Sequence, residues 1–204
     1  MISAEEGLLR LQEGNRRFVS GTAQGDAVKN DVRRSEVADG QAPFAVLLGC
    51  SDSRVPAELV FDQGLGDLFV IRVGGNIVAP SQIGSVEFAV ERFGTPLVVV
   101  LGHSRCGVIL ATLEELRRPR EDQSRNLRSL VDRVRPSVAS LLATELRNDP
   151  DALVAQAVRS NVRASVNHLR YGSEVLEQLL QEGKLLVVGA EYSLDSGQVE
   201  FFDG

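Results

Sequence analysis

Two short apolar runs, Phe44 to Gly49 and Leu97 to Gly102, constrain this chain most: each ends in glycine and is followed at once by a compact polar motif. Continuous apolar runs of this length are the pattern of strands buried on both faces, as in a parallel sheet covered by helices. In open α/β sheets, ligands collect in the crevice beyond the carboxyl ends of the strands, so whatever follows the two runs is placed for chemistry. One run leads into Cys50-Ser51-Asp52-Ser53-Arg54 and the other into His103-Ser104-Arg105-Cys106. The chain contains 2 cysteines and 2 histidines, and three of those four residues lie in the two motifs. If the strands are neighbours, Cys50 comes within bonding distance of His103 and Cys106.

Two thiolates and an imidazole suit Zn²⁺, which binds Cys and His tetrahedrally at about 2.3 and about 2.0 Å. Three protein ligands leave one position open, whereas structural zinc sites are normally closed by four. The remaining histidine, His168, falls in a helical pattern far downstream and reads as a surface or structural residue. The count therefore predicts a catalytic metal site. Taken singly, either motif also fits a buried cysteine or a satisfied core histidine; together they favour a shared metal site over that reading.

The rest of the chain is that of an ordinary globular protein. Its 204 residues are 43% hydrophobic and 25% charged, enough for one sizeable core. The net charge of −6 argues against a nucleic-acid partner. The longest apolar runs fall well short of the roughly 20 residues of a membrane span, and the opening MISAEEGLLRLQEG lacks the basic and apolar parts of a signal peptide. No membrane partner is expected, and a cytoplasmic location is, where reducing conditions keep Cys50 and Cys106 as thiols.

Residues 3 to 19 read as an amphipathic helix capped by Ser3, with Leu8, Leu9, Leu11 and Phe18 among charges and no obvious target for its apolar side within the chain. Residues 20 to 42 read as a loop. Strands are predicted at Phe44 to Leu48, Leu68 to Arg72, Leu97 to Leu101 and Leu185 to Ala190, with VEFFD at the end as an edge strand and one or two long helices over Asp149 to Glu182. The expected fold class is α/β: a single domain, residues 1–204, with a helical arm at 3–19 and a core at 43–204 built on a central, mostly parallel β-sheet flanked by helices. The glycine clusters Gly64-Leu65-Gly66 and Gly74-Gly75 do not complete a dinucleotide fingerprint, and GHSRCG lacks the last glycine of a serine-hydrolase elbow.

The strings GCSDSRVPAE from Gly49 and GHSRCG from Gly102 resemble the signatures of the β-class carbonic anhydrases. The resemblance extends to FDQGLGDLFVIRVGGNIV from Phe61, to IGSVEFAV after it and to QEGNRRFVSG around Asn15. It implies one zinc per chain on Cys50, His103 and Cys106, Asp52 and Arg54 as a catalytic pair, and reversible hydration of carbon dioxide to bicarbonate and a proton by attack of zinc-bound hydroxide. It also implies Gln41 reaching substrate in a partner subunit, the Gly107 amide orienting substrate, Phe69 and Phe88 lining the carbon dioxide pocket, and a homodimer or a dimer of dimers (homotetramer). By periodicity alone both phenylalanines would be core. Gly74 stands where relatives often carry a larger apolar residue.

Some bacterial members bind bicarbonate at a regulatory site built from Trp, Arg and Tyr, and close the zinc with the motif aspartate. Arg72 and Tyr192 match two of those positions, while Leu47 stands at the third and cannot donate an indole N–H to an anion. Asp52 is accordingly a zinc ligand in a closed state only. Two alternatives accompany the carbonic anhydrase reading: a related carbon disulfide or carbonyl sulfide hydrolase, and a noncatalytic zinc-stabilised bicarbonate-binding protein.

Overall fold

The structure, a computed structural model, describes residues 2–23, 31–118 and 124–202. At its centre lies a five-stranded sheet in the order β2-β1-β3-β4-β5. The strands are β1 (Ala45–Gly49), β2 (Leu68–Arg72), β3 (Leu97–His103), β4 (Leu186–Tyr192) and β5 (Val199–Phe202). β1 pairs in parallel with both β2 and β3, β3 pairs in parallel with β4, and β5 returns antiparallel along β4 as the predicted edge strand. Every residue of β1 and β3 is buried, which is why these two strands read as unbroken apolar runs.

Among the described residues eight α-helices surround the sheet: α1 (Ala4–Ser20), α2 (Asp31–Glu36), α3 (Ala57–Val60), α4 (Pro80–Phe93), α5 (Gly107–Arg117), α6 (Arg125–Val138), α7 (Pro150–Tyr171) and α8 (Glu174–Gln181). Alternate side chains of each strand serve opposite faces. Val46, Leu48, Val98, Val100 and Val187 pack with Val86 and Val90 of α4, Val162 and Val166 of α7 and Leu176 of α8. Ala45, Leu47, Val99, Leu101 and Val188 pack with Leu11 of α1 and Val60 of α3. Among the described residues no helix is long and apolar enough to cross a membrane.

α1 begins as expected, with Ser3 accepting from the Glu6 amide and Glu6 reaching back to the Ser3 amide. Its apolar side, expected to lack a target in the chain, has one. Leu11 is fully buried in the core, and Arg10 lies 4.3 Å from the Phe44 ring centroid and binds Gln63 and Asp67. Asn15 bonds the carbonyls of Val60 and Gly197 and the amide of Val199. These partners are remote in sequence, so no local pattern announces them.

The expected loop over 20 to 42 contains α2, six residues without a buried side chain, supported by the pairs Asp31–Arg34 and Arg33–Glu36. Residues 24–30 of that loop lie outside the described residues. The long segment after Asp149 forms two helices, broken at Gly172 and recapped by Ser173, whose hydroxyl accepts from the Leu176 amide.

α7 sits close to the sheet because Val162 enters a gap left by two glycines. A Cβ on Gly102 would stand 2.5 Å from Val162 Cγ2, and one on Gly189 2.9 Å from Val162 Cγ1. Valine is stiff at χ1 and cannot swing aside. Gly102→Ala should therefore cost about 1–3 kcal/mol by overpacking, and Val162→Ala should cost less in that background than in the parent. Denaturant unfolding of the four proteins of this double-mutant cycle measures the coupling; strict additivity would mean that another contact sets the helix height.

Candidate metal centre

Strand register assembles this site. Val46 pairs with Val98 and Gly49 with Leu101, so the carboxyl ends of β1 and β3 are level. Cys50 is the first residue beyond β1, His103 the last of β3, and Cys106 the residue that caps α5. The turn between His103 and Cys106 is tight, with Arg105 in left-handed backbone at φ 54°. The Ser104 amide donates to Tyr192 O at 3.0 Å, Ser104 Oγ accepts from the Leu194 amide at 2.9 Å, and Arg105 pairs with Asp195 at 2.6 Å. The turn after β4 thus anchors the turn that delivers two of the candidate ligands.

Cys50 Sγ, a His103 ring nitrogen and Cys106 Sγ lie within 4.8 Å of one another, and all three residues are buried. The sulfurs are 3.9 Å apart and unpaired. His103 Nδ1 is 3.0 Å from Ser104 O. A carbonyl can only accept, so Nδ1 carries the proton and Nε2 presents its lone pair. That Nε2 is one of two buried side-chain polar atoms without a hydrogen-bond partner among the described residues, the other being Asn76 Nδ2. Buried polar atoms are rarely left unsatisfied, and a lone pair aimed between two thiols is accounted for by a metal ion. The donor set fits zinc.

The two sulfurs are hydrogen-bonded to each other. The bond from Cys106 lowers the Cys50 thiol below the usual thiol range, with the Gly75 amide a smaller cause in the same direction. The same bond, together with burial, pushes the Cys106 thiol up. Lowering the Cys50 thiol favours its thiolate, the form that binds metals. Behind the ligands, Ile77, Ile109, Leu113, Val134, Leu153 and Val158 form an apolar backing.

Asp52 Oδ2 stands 3.8 Å from His103 Nε2, at the edge of the candidate ligand group. Arg54 binds the carboxylate with Nε to Oδ1 at 2.9 Å and Nη2 to Oδ2 at 2.8 Å, and its amide donates to Oδ1 at 3.0 Å. The Arg54 side chain holds the Asp52 carboxyl well below the usual carboxylate range. Such two-pronged bonding fixes direction as well as charge.

The other residues singled out in the sequence are more dispersed. Gly107 opens α5, where first-turn amides have no partner within the helix. Gln41 is exposed in the segment before β1. Phe69 is half-buried on β2, but Phe88 is 52% exposed, so it is not the core residue that periodicity suggests. With Phe93 the two form a ring cluster, centroids 5.6 to 6.2 Å apart. A Cβ on Gly74 would meet Val108 and Leu130 at 3.2 and 3.3 Å, so those side chains occupy the space a larger residue would need. His168 is exposed on α7. Tyr192 is buried, its ring 6.4 Å from that of Phe18, and Leu47 is fully buried. Arg72 donates to Cys50 O at 3.0 Å and Asp52 O at 2.5 Å, a backbone role that its charge alone did not reveal. Sequence reading also missed Ser104 and the Gly75 amide, which donates to Cys50 Sγ at 3.4 Å.

The profile of the family described as carbonic anhydrase matches residues 45–199. The chain is 40% identical over 193 residues to carbonic anhydrase 2 of Mycobacterium tuberculosis, covering 95% of this chain and 90% of that one. It is also 40% identical over 190 residues to the carbonic anhydrase of Mycolicibacterium smegmatis, covering 93% and 89%. Among solved structures, the β-carbonic anhydrase CcaA superposes with a TM-score of 0.76 at 27% identity, covering 97% of this chain and 88% of that one. One of the tetrameric β-carbonic anhydrases of Sordaria macrospora superposes with a TM-score of 0.73 at 26% identity, covering 91% and 93%. Fold, ligand triad and sequence agree, and the chain belongs to the β-class of carbonic anhydrases, enzymes that use zinc.

Proposed function

We propose that Cys50, His103 and Cys106 hold one zinc ion, and that Asp52 and Arg54 are the catalytic pair for interconverting carbon dioxide and bicarbonate. The observation that carries this is the buried, partnerless Nε2 of His103 facing two thiols beside a clamped carboxylate. Zinc, when bound, supplies the Lewis acidity that lets water attack carbon dioxide near neutral pH. Asp52 Oδ2 accepts a hydrogen bond from that water and turns its lone pair toward substrate. Arg54 keeps the carboxylate in this orienting role and away from the metal. A scaffold site has no use for such a pair, and the relatives carry the carbonic anhydrase name, so neither a bicarbonate-binding scaffold nor a sulfur-substrate hydrolase is favoured.

Further roles follow by the same reasoning. The Gly107 amide, at the start of α5, orients substrate oxygen. Phe69 and Phe88 line the approach for carbon dioxide, with a second subunit covering the exposed side of Phe88. Exposed Gln41 reaches the partner's site, which makes the working unit a homodimer or a dimer of dimers; the tetrameric relatives of Sordaria macrospora support self-association. Bicarbonate regulation through Arg72 and Tyr192 is weak or absent, since Arg72 is engaged by two carbonyls and Leu47 offers no donor. A cytoplasmic location fits this reading, because reducing conditions keep Cys50 and Cys106 as metal-binding thiols.

Stopped-flow hydration of carbon dioxide by the zinc-loaded protein tests the function directly; no rate above buffer would overturn it. Cys50→Ala, His103→Ala and Cys106→Ala should each lose zinc, measured by metal analysis, and full occupancy in any one removes that residue from the ligand set. Asp52→Ala and Arg54→Ala should both keep zinc and both lose roughly 10–100-fold in rate, for different reasons. Zinc K-edge spectroscopy should find a carboxylate in the coordination shell of Arg54→Ala but not of Asp52→Ala. A near-normal rate and unchanged shell in Arg54→Ala would exclude the restraining role of Arg54. Sedimentation should show a dimer or larger assembly at micromolar concentration, and a fully active monomer would contradict the role given to Gln41.

A further inference from the structure

Gly74–Asn76 forms a turn between β2 and α4, and its backbone touches the metal site. The Gly75 amide donates to Cys50 Sγ at 3.4 Å. Two successive residues of the turn are left-handed, Gly75 at φ 71° and Asn76 at φ 43°. Glycine takes that conformation freely and asparagine tolerates it, whereas a Cβ on Gly75 would also stand 2.9 Å from Val108 Cγ1.

The turn is held from α7. Asn161 Nδ2 donates to Gly75 O at 2.8 Å, and Ser165 Oγ donates to Asn76 O at 3.0 Å. Asn161 and Ser165 lie one helical turn apart on the same face, and both are buried. Ser137 of α6 lies near Asn161, its Oγ 3.5 Å from Oδ1, while its hydroxyl donates to Val134 O at 2.7 Å. On the other flank the Val73 amide donates to Gly49 O at 3.1 Å. The two polar residues interrupt the otherwise apolar buried face of α7, which carries Val158, Val162, Val166 and Leu169. Buried polar side chains cost stability unless satisfied, and these two are satisfied by carbonyls of one turn.

We propose that Asn161 and Ser165 are positioning residues of the metal centre, holding the Gly74–Asn76 turn so that the Gly75 amide stays on the Cys50 sulfur. An N–H···S bond withdraws charge from a thiolate and fixes its direction, so the bond tempers how strongly Cys50 donates to a metal. This matters in a site with two thiolates, whose charges together cancel that of a divalent ion. The inference rests on Cys50 being a ligand.

The test uses Asn161→Asp, of nearly the same shape but unable to donate to Gly75 O when ionised, and Ser165→Ala, which has no donor at any pH, with Ser165→Thr as the variant that keeps the donor. Val166→Ala, on the same helix but facing the core, controls for packing. Two readouts are taken: the thiolate-to-metal charge-transfer band of the Co²⁺-loaded protein, and the release of Zn²⁺ to a chromophoric chelator. Asn161→Asp and Ser165→Ala should move the band to lower energy, because the sulfur donates more strongly, and should release zinc about tenfold faster, because Cys50 is no longer held in direction. Ser165→Thr should resemble the parent, and Val166→Ala should lower the melting temperature without moving the band. An unmoved band and unchanged release in folded Ser165→Ala, or an equal shift in Val166→Ala, would overturn the proposal. If Asn161→Asp does not fold, Ser165→Ala decides by itself. Absence of any thiolate band in the unaltered Co²⁺ protein would instead overturn the ligand assignment, and the proposal with it.

Discussion

The parallel pairing of β1 with β3 is the constraint on which everything else in this protein depends. Had the two strands been offset by even two residues, Cys50 would lie roughly 7 Å from its present level, out of reach of His103 and Cys106. The offset is fixed by packing rather than by the polar residues. Val46 and Leu48 face α4 and α7, Ala45 and Leu47 face α1 and α3, and a one-residue slip would exchange the two faces. Hydrophobic sorting thus sets a register whose value lies one residue beyond the strand ends.

Around that register, polar groups do local work that apolar packing cannot. Arg54 turns a carboxylate, Arg72 binds the two carbonyls flanking Ser51, and Ser104 ties the second ligand turn to the turn after β4. The bonds of Arg72 and Ser104 each join a segment that carries a candidate ligand to one that does not. The site is therefore supported from several sides at once, and its geometry belongs to the fold rather than to the loop that contains it.

Much of this was legible in the sequence because the decisive signals are local. Buried parallel strands read as apolar runs, the α1 start is marked by Ser3 and Glu6, and with so few cysteines and histidines their clustering has one economical explanation. Other features left no local trace. α2 is short, with ion pairs instead of an apolar face. The burial of α1 depends on Phe44, Phe61 and Leu97, far along the chain. Phe88 occupies a helical position whose periodicity suits a core, yet its ring faces outward in the protomer. The partners of Arg72, Asn161 and Ser165 are backbone atoms, which every residue type possesses and no sequence pattern marks.

Cys50 and Cys106 are separated by 56 positions along the chain. A metal ion held by both would act as a cross-link closing a long loop that contains β2, α4 and β3. In the chain-entropy treatment of such closures, a loop of this length restricts the unfolded chain by about 4 kcal/mol, a large part of the stability of an ordinary domain. Metal loss would accordingly reach beyond chemistry. It would relax the covalent economy of half the sheet, so that the supply of the ion governs how much folded protein exists as well as how fast each molecule turns over.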